Sequence, residues 1–182
     1  LSCALHFHSS WEFIFVAEGK LKLLLDGEEI LAKAGEAVFI PGFVVHYGAG
    51  EEKNRCFSLV FGSNYKRAFE EEFGEKQFDY VLENRGDRTE EIFGFLEKCV
   101  RNFSSLSRCE RCGMIDLFLG AFARLYPLKA CENKASEKII INLLRYLDKH
   151  YAENITVESA AKKFGYSKNY LSSLFNKYTG MR

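Results

Sequence analysis

The chain has 182 residues, 47% of them hydrophobic, and its 25 Lys and Arg balance 25 Asp and Glu, enough apolar material for one large domain or two small ones with real cores. No run reaches the roughly 18 uninterrupted apolar residues of a membrane-spanning helix, and the opening residues lack the charged-then-apolar layout of a signal peptide, so a cytoplasmic protein with no membrane partner is expected. The zero net charge hides a split: Lys134 to Arg182 holds nine Lys and Arg against four Asp and Glu, net +5, which leaves net −5 on the residues before it. A basic end on an acidic front suggests two separate jobs.

From Trp11 to Phe61 short β-rich runs alternate with turn signals, which predicts strands over Glu12–Val16, Leu21–Leu25, Glu29–Ala32, Ala37–Ile40 and Cys56–Phe61. Asp26-Gly27 reads as a two-residue hairpin turn, and Gly35 and Pro41-Gly42 punctuate the fourth strand. After Ser63 the spacing turns helical, with helices predicted near Tyr65–Phe73, Thr89–Phe103 and Glu110–Tyr126. Ile92, Phe93, Leu96, Val100 and Phe103 share one face of the second, and Met114, Leu117, Phe118, Ala121 and Leu125 one face of the third. Such stripes must be buried, either over the β domain or against a second copy of the chain.

The polar stretch from 128 to 136 reads as a linker, and beyond it a helix is predicted over Glu137–Tyr151. His150, near the end of that helix, suits the negative end of the dipole better than a site role. The six cysteines, Cys3, Cys56, Cys99, Cys109, Cys112 and Cys131, are scattered without a disulfide-framework spacing and read as reduced thiols. Cys109 and Cys112 form a C-x-x-C, but no second such pair or His pair completes a tetrahedral zinc set, so they read as two thiols at a helix start.

The segment from Ile155 to Gly180 is a compact two-helix pattern. Thr156 is a good N-cap for a helix through Phe164, with Glu158 in its first turn. Gly165 supplies the left-handed backbone that reverses the chain, and Ser167 caps a second helix to about Tyr178. A small residue at Ala160 or Ala161 allows close helix approach, with Val157, Phe164, Leu171, Leu174 and Phe175 as the shared core. Lys168, Asn169, Ser172, Ser173 and Asn176 then face outward. A second helix with a polar tip fits a major groove: Asn169 has the geometry to pair with adenine and Ser172 and Ser173 are short contacts, while Lys168, Lys177, Lys162 and Lys163 would hold phosphates with salt-sensitive affinity. A helical hairpin with nothing more than a solvated polar face has the same spacing.

The string A-x-x-F-G-Y-S-x-x-Y-L-S-x-L-F-x-x-x-T-G, running to Gly180 with the Lys138–Tyr151 helix ahead of it, closely resembles the first helix-turn-helix of AraC/XylS-family regulators. The resemblance implies two such units joined by a long helix. This sequence stops at Gly180-Met181-Arg182, where the joining helix would begin, so a truncated chain is expected. At the other end, His6, His8, Glu12 and Gly19 resemble the first cupin motif, H-x-H-x3-E-x6-G, and Gly35-x5-Pro41 with His46 resembles the second. The glycine after the proline sits one place early, at Gly42, and Gly50 stands where asparagine is common. The strands that usually precede the first cupin motif are not read in this sequence, so truncation at the amino end is expected too.

The resemblance implies an α+β protein: a cupin-like, jelly-roll barrel over 1–63 that senses a ligand, amphipathic helices for dimerisation or barrel covering over 64–127, the linker at 128–136, and the first helix-turn-helix of an AraC-type DNA-binding domain over 137–182. In metal-binding cupins the equivalents of His6, His8, Glu12 and His46 converge on Zn, Ni, Mn or Fe, donors that suit these ions. Sensor barrels keep a similar set without metal to hydrogen-bond a sugar or other small molecule; Trp11, Phe13, Phe15 and Phe39 read first as core, with Trp11, beside the histidine cluster, also available to line the pocket. The expected protein is therefore no enzyme but a ligand-responsive regulator, a homodimer binding double-stranded DNA and a small-molecule effector, with no cofactor required. Its rival is a metal-dependent cupin enzyme, isomerase- or dioxygenase-like, with a helical appendage.

Overall fold

Strand β2 (Trp11–Glu18) is buried on both faces, and the rest of the fold is arranged by that fact. In the computed structural model, which describes residues 2–50, 54–130 and 135–180, β2 lies between β7 (Arg55–Phe61) and β5 (Ala37–Ile40), with β9 (Val81–Leu82) beyond β5. A second sheet has the order β1 (Ser2–His6), β6 (His46–Gly50), β3 (Lys20–Leu25), β4 (Glu28–Lys33). All of these neighbours are antiparallel. The fold is α+β as expected, but the β domain is an open sandwich of two four-stranded sheets and not a closed barrel. Asp26 and Gly27 close the β3–β4 hairpin with positive φ, as the sequence signalled.

The period of two along a strand divides the core into layers. Ile14, Val16, Leu21, Leu23, Leu25, Ala32, Val38, Ile40 and Val44 fill the space between the sheets with aliphatic side chains. Trp11, Phe13, Phe15 and Phe39 point the other way, into an aromatic layer shared with the helices. That layer is roofed by α1 (Ser63–Phe73), α2 (Asp87–Arg101) and α3 (Arg108–Leu125), through Phe69, Phe93, Leu96, Met114, Phe118 and Phe122. Phe13 meets Phe118 edge to face at 4.8 Å between centroids, and Phe15 meets Phe93 at 4.9 Å, the arrangement that the ring quadrupoles favour.

Four sequence expectations need correction. β1 and β6 were not anticipated, because their polar and glycine content hides a strand whose partner supplies the hydrogen bonds. The polypeptide past Ser63 returns to the sheet at β9, so residues after 63 complete the β domain. In α3, Leu119 and Phe122 are buried while Leu117 is 67% exposed, and Phe103 also faces outward. Helix rotation is set by which residues meet the aromatic layer, and the sheet surface selects a stripe shifted from the one the spacing suggested. Val157, expected in the core between the last two helices, is exposed.

A two-stranded ribbon of β8 (Lys76–Gln77) and β10 (Lys129–Ala130) lies at the edge of the helical layer. Residues 131–134 of the expected linker, with Cys131, and the terminal Met181 and Arg182 lie outside the described residues. Beyond them come α4 (Ala135–His150), α5 (Val157–Phe164) and α6 (Lys168–Thr179). No helix among the described residues is long and apolar enough to cross a membrane.

Truncating the central ring of the aromatic layer, Phe118→Ala, should cost about 3–5 kcal/mol of unfolding free energy. Denaturant titration followed by tryptophan fluorescence checks this, since Trp11 sits in the same cluster.

Candidate functional site

The histidines are brought together by strand pairing. His6 ends β1 and is the register partner of His46 at the start of β6. His8 follows in the loop to β2, and Glu12 is the second residue of β2, on the face opposite Trp11. Ring centroids lie 4.1 Å apart for His6 and His46, 5.0 Å for His8 and His46 and 5.7 Å for His6 and His8. One ligand nitrogen from each of the three can be chosen so that all lie within 4.8 Å of one another.

Backbone carbonyls orient the rings. Nδ1 of His6 donates to Ala4 O at 2.8 Å, that of His8 to Ser10 O at 3.0 Å, and that of His46 to Val44 O at 2.8 Å. A carbonyl only accepts, so Nδ1 carries the proton in each ring and Nε2 is left for the centre of the cluster. Carbonyl-anchored imidazoles of this kind are the usual preparation of a metal ligand. Nε2 of His8 bonds Glu12 Oε2 at 3.1 Å. Nε2 of His46 is buried with no hydrogen-bond partner, Glu12 Oε2 standing 3.7 Å away. A buried lone pair left unsatisfied is costly, and it is what a ligand or an ion at the centre would engage. The residues present therefore fit a divalent transition metal, held by His6, His8 and His46 with Glu12 beside them, and such an ion would supply a Lewis-acidic centre.

The protonation of the cluster is uneven. The hydrogen bond that His8 donates to Glu12 holds its imidazole above the ordinary histidine range, against the effect of its burial. Burial pushes His46 down, opposed by its bond to the Val44 carbonyl. One histidine is thus poised to be charged while another stays neutral with its Nε2 lone pair free.

All four predicted ligating residues converge, but Trp11 does not join them. It is packed among Phe39, Phe61 and Phe69 on the helix-facing side of β2, because adjacent strand residues point to opposite faces. The expected pocket-lining role of Trp11 is therefore withdrawn. Among the described residues the space between the two sheets is occupied by the aliphatic layer.

The two-helix unit folds as its caps dictate. Thr156 and Ser159 form a reciprocal capping box at the start of α5. Gly165 adopts the left-handed conformation at φ 75° and ψ 27°, and Ser167 caps α6 through Tyr170 N–H. Ala160, Ala161 and Leu171 are buried with Ile140, Ile141, Leu143 and Leu144 of α4. Lys162, Lys163, Lys168, Asn169, Ser173 and Asn176 are exposed, and Ser172 is half-buried. Asn169, Ser173 and Asn176 recur at helical spacing along one stripe of α6.

Two of the cations are engaged locally. Lys168 Nζ bonds Glu158 Oε1, and its ammonium holds the Glu158 carboxyl below the usual range. Lys163 lies over the Tyr146 ring at 4.6 Å, and Lys177 lies apart from the tip, in a cleft against the sandwich with Leu5, Leu24 and Val45. Tyr166 and Tyr170, missed in the sequence reading, present two exposed rings 5.3 Å apart beside Lys168. Their signal was aromatic residues on either side of the Ser167 cap, Tyr166 in the turn and Tyr170 one position before the buried Leu171.

Of the remaining sequence features, His150 closes α4, stacks on Tyr146 and bonds Glu153 at 2.6 Å. Cys109 and Cys112 are free thiols in the first turns of α3. Tyr65 donates to Cys112 Sγ at 3.0 Å, tying α1 to α3, and this bond is the main reason its hydroxyl is pushed up to about 12.

Residues 2–60 match the cupin domain family, and residues 147–181 match the bacterial regulatory helix-turn-helix proteins of the AraC family. A region similar to cupin domains thus precedes one similar to the helix-turn-helix of AraC-family regulators. Among its relatives is the uncharacterized HTH-type transcriptional regulator YijO of Escherichia coli strain K12, 26% identical over 171 residues, or 87% of this chain and 59% of YijO. Among solved structures, the AraC-like transcriptional activator CuxR superposes with TM-score 0.55 and 14% identity over 93% of this chain and 61% of CuxR. ToxT from Vibrio cholerae does so with TM-score 0.58 and 10% identity, over 97% of this chain and 70% of ToxT. At such identities these two share its fold. The chain spans less than two thirds of the length of YijO and of CuxR.

The Glu12–His8 bond stabilises the fold only while His8 is protonated. A folded value raised above 6.5 makes this contribution full below 6.5 and loses it as pH rises through the raised value. Glu12→Gln should therefore lower the melting temperature more at a pH well below 6.5 than in alkaline buffer. In a histidine NMR titration His8 should have its midpoint above 6.5 and His46 below it.

Proposed function

We propose that the chain is the sensing domain and first DNA-reading unit of a sequence-specific transcription regulator of the cytoplasm. The observation that carries this reading is the α5–Gly165–α6 unit, whose buried side is satisfied by α4 while its second helix presents Lys168, Asn169, Ser173 and Asn176 outward. A polar, cation-flanked helix tip is the shape and chemistry that a major groove admits. The net +5 of the region from Lys134 supports the same partner.

In this reading Asn169, with Ser172, Ser173 and Asn176, addresses base edges. Lys162, Lys163 and Lys168 hold phosphates, and Tyr166 and Tyr170 pack against the backbone beside them. Lys177 is assigned to the cleft with the sandwich instead. The effector acts at His6, His8, Glu12 and His46. The orphaned Nε2 of His46 favours an occupant that accepts its lone pair, a divalent transition metal or a hydroxyl of a small polar molecule. Leu117, Phe95 and Phe103, exposed on the helical layer, support pairing with a second copy of the chain.

Two measurements test the reading. Lys168→Ala should weaken binding to every duplex alike and reduce the magnitude of the salt slope by about 1, whereas Asn169→Ala should relax preference at one base pair by about 1–3 kcal/mol. Absence of salt-sensitive affinity of the chain for any promoter-derived duplex overturns it. Calorimetry with Zn(II) and Ni(II) should show one site per chain that is lost in His46→Ala. Substrate turnover that disappears with the metal would move the assignment to a cupin enzyme.

A further inference from the structure

The loops that carry the histidines also carry the sandwich's contribution to the core of the DNA-reading unit. Phe43, three residues before His46, is 8% exposed and packs in one cluster with Ile140, Ile141, Leu143, Leu144, Ala160, Ala161 and Leu171. Phe7, between His6 and His8, is packed against the same cluster. Two side chains of the cupin domain thus complete the hydrophobic core of α4, α5 and α6.

Phe43 is held in an unfavourable backbone conformation, φ +69° in a residue with a Cβ. Several contacts impose it. Its N–H donates to His8 O at 2.6 Å. Its carbonyl accepts from the Tyr178 hydroxyl of α6 at 3.3 Å. Gly42 backs so closely onto the 7–10 loop that a Cβ there would stand 2.4 Å from Ser9 O. On the other side, the Val44 carbonyl next to Phe43 takes the Nδ1–H of His46. Phe43 is therefore tied to two histidines of the site, to the His8 backbone directly and to the His46 ring through the carbonyl of its neighbour Val44, while its own ring stands inside the helical core.

We infer that Phe43 is the positioning residue that transmits the state of the histidine site to the DNA-reading helices: a change in the pose of His8 or His46 shifts the strained turn, and the turn shifts the wedge under α4 and α5. The inference rests on the reading of the histidines as the sensing site. It requires no movement of the sandwich as a whole, since a packed core responds to a displaced ring by rearranging discretely.

A double-mutant cycle tests it without a ligand or DNA. Amide hydrogen exchange in α4, α5 and α6 is measured in the unmodified chain, His46→Ala, Phe43→Ala and the double variant, with Phe43→Leu as a second background that keeps an apolar group in place. With Phe43 present, His46→Ala should change exchange in α5 and α6 by at least about threefold, and in the Phe43→Ala background by less than half that factor. Phe43→Leu should give an intermediate response. The inference is overturned if His46→Ala leaves the helices unchanged, or changes them equally in the Phe43, Phe43→Leu and Phe43→Ala backgrounds. Zn(II) affinity of Phe43→Ala, read by calorimetry, and duplex binding are scored separately, so loss of either function stands apart from loss of the coupling.

Discussion

Alternation along β2 is the constraint from which the rest follows. Because consecutive residues face opposite sides, one eight-residue strand supplies Trp11, Phe13 and Phe15 to the helical layer and Glu12, Ile14 and Val16 to the sandwich interior. Slipping its register by one residue would exchange the two sets, burying the Glu12 carboxylate among phenylalanines and turning the aromatic layer inward. The histidine cluster depends on the same alternation, since Glu12 reaches His8 only from the inner face. Fold and site thus share one determinant.

The second dependence runs through the contact between the two parts of the chain. The helix-turn-helix unit has a core of its own, with caps at Thr156 and Ser167 that need no help from the sandwich. Its packing is nevertheless completed from outside, by Phe7 and Phe43. Burial of that kind gives the two parts a common thermodynamic stake, which is the condition for energetic coupling between the histidine cluster and the helices.

Much of this was legible in the sequence, and the exceptions have physical reasons. The helix-turn-helix was readable because caps and a left-handed glycine are local signals, each satisfied within four residues. The four ligating residues were readable through their resemblance to the cupin motifs, although nothing local says that His6 and His46 are cross-strand partners. What failed was whatever depends on orientation between elements. Trp11 is core, as its first reading had it, and the alternative that put it in the pocket failed because adjacency to Glu12 in a strand means separation. Leu117 was placed in the core because its spacing matched, but a helix on an aromatic sheet is rotated by the shape of that surface. Phe43 was invisible, because no sequence rule announces a ring that leaves its own domain to fill another.

The bridge between Lys168 and Glu158 has a consequence for how a polyanion would be met. A cation already partnered must exchange a carboxylate for a phosphate, so its contribution is the difference between two attractions and not the whole of one. The helix tip is thereby less adhesive toward arbitrary negative surfaces than its count of lysines suggests, and the weight of choosing a target shifts to the uncharged side chains along the same helix.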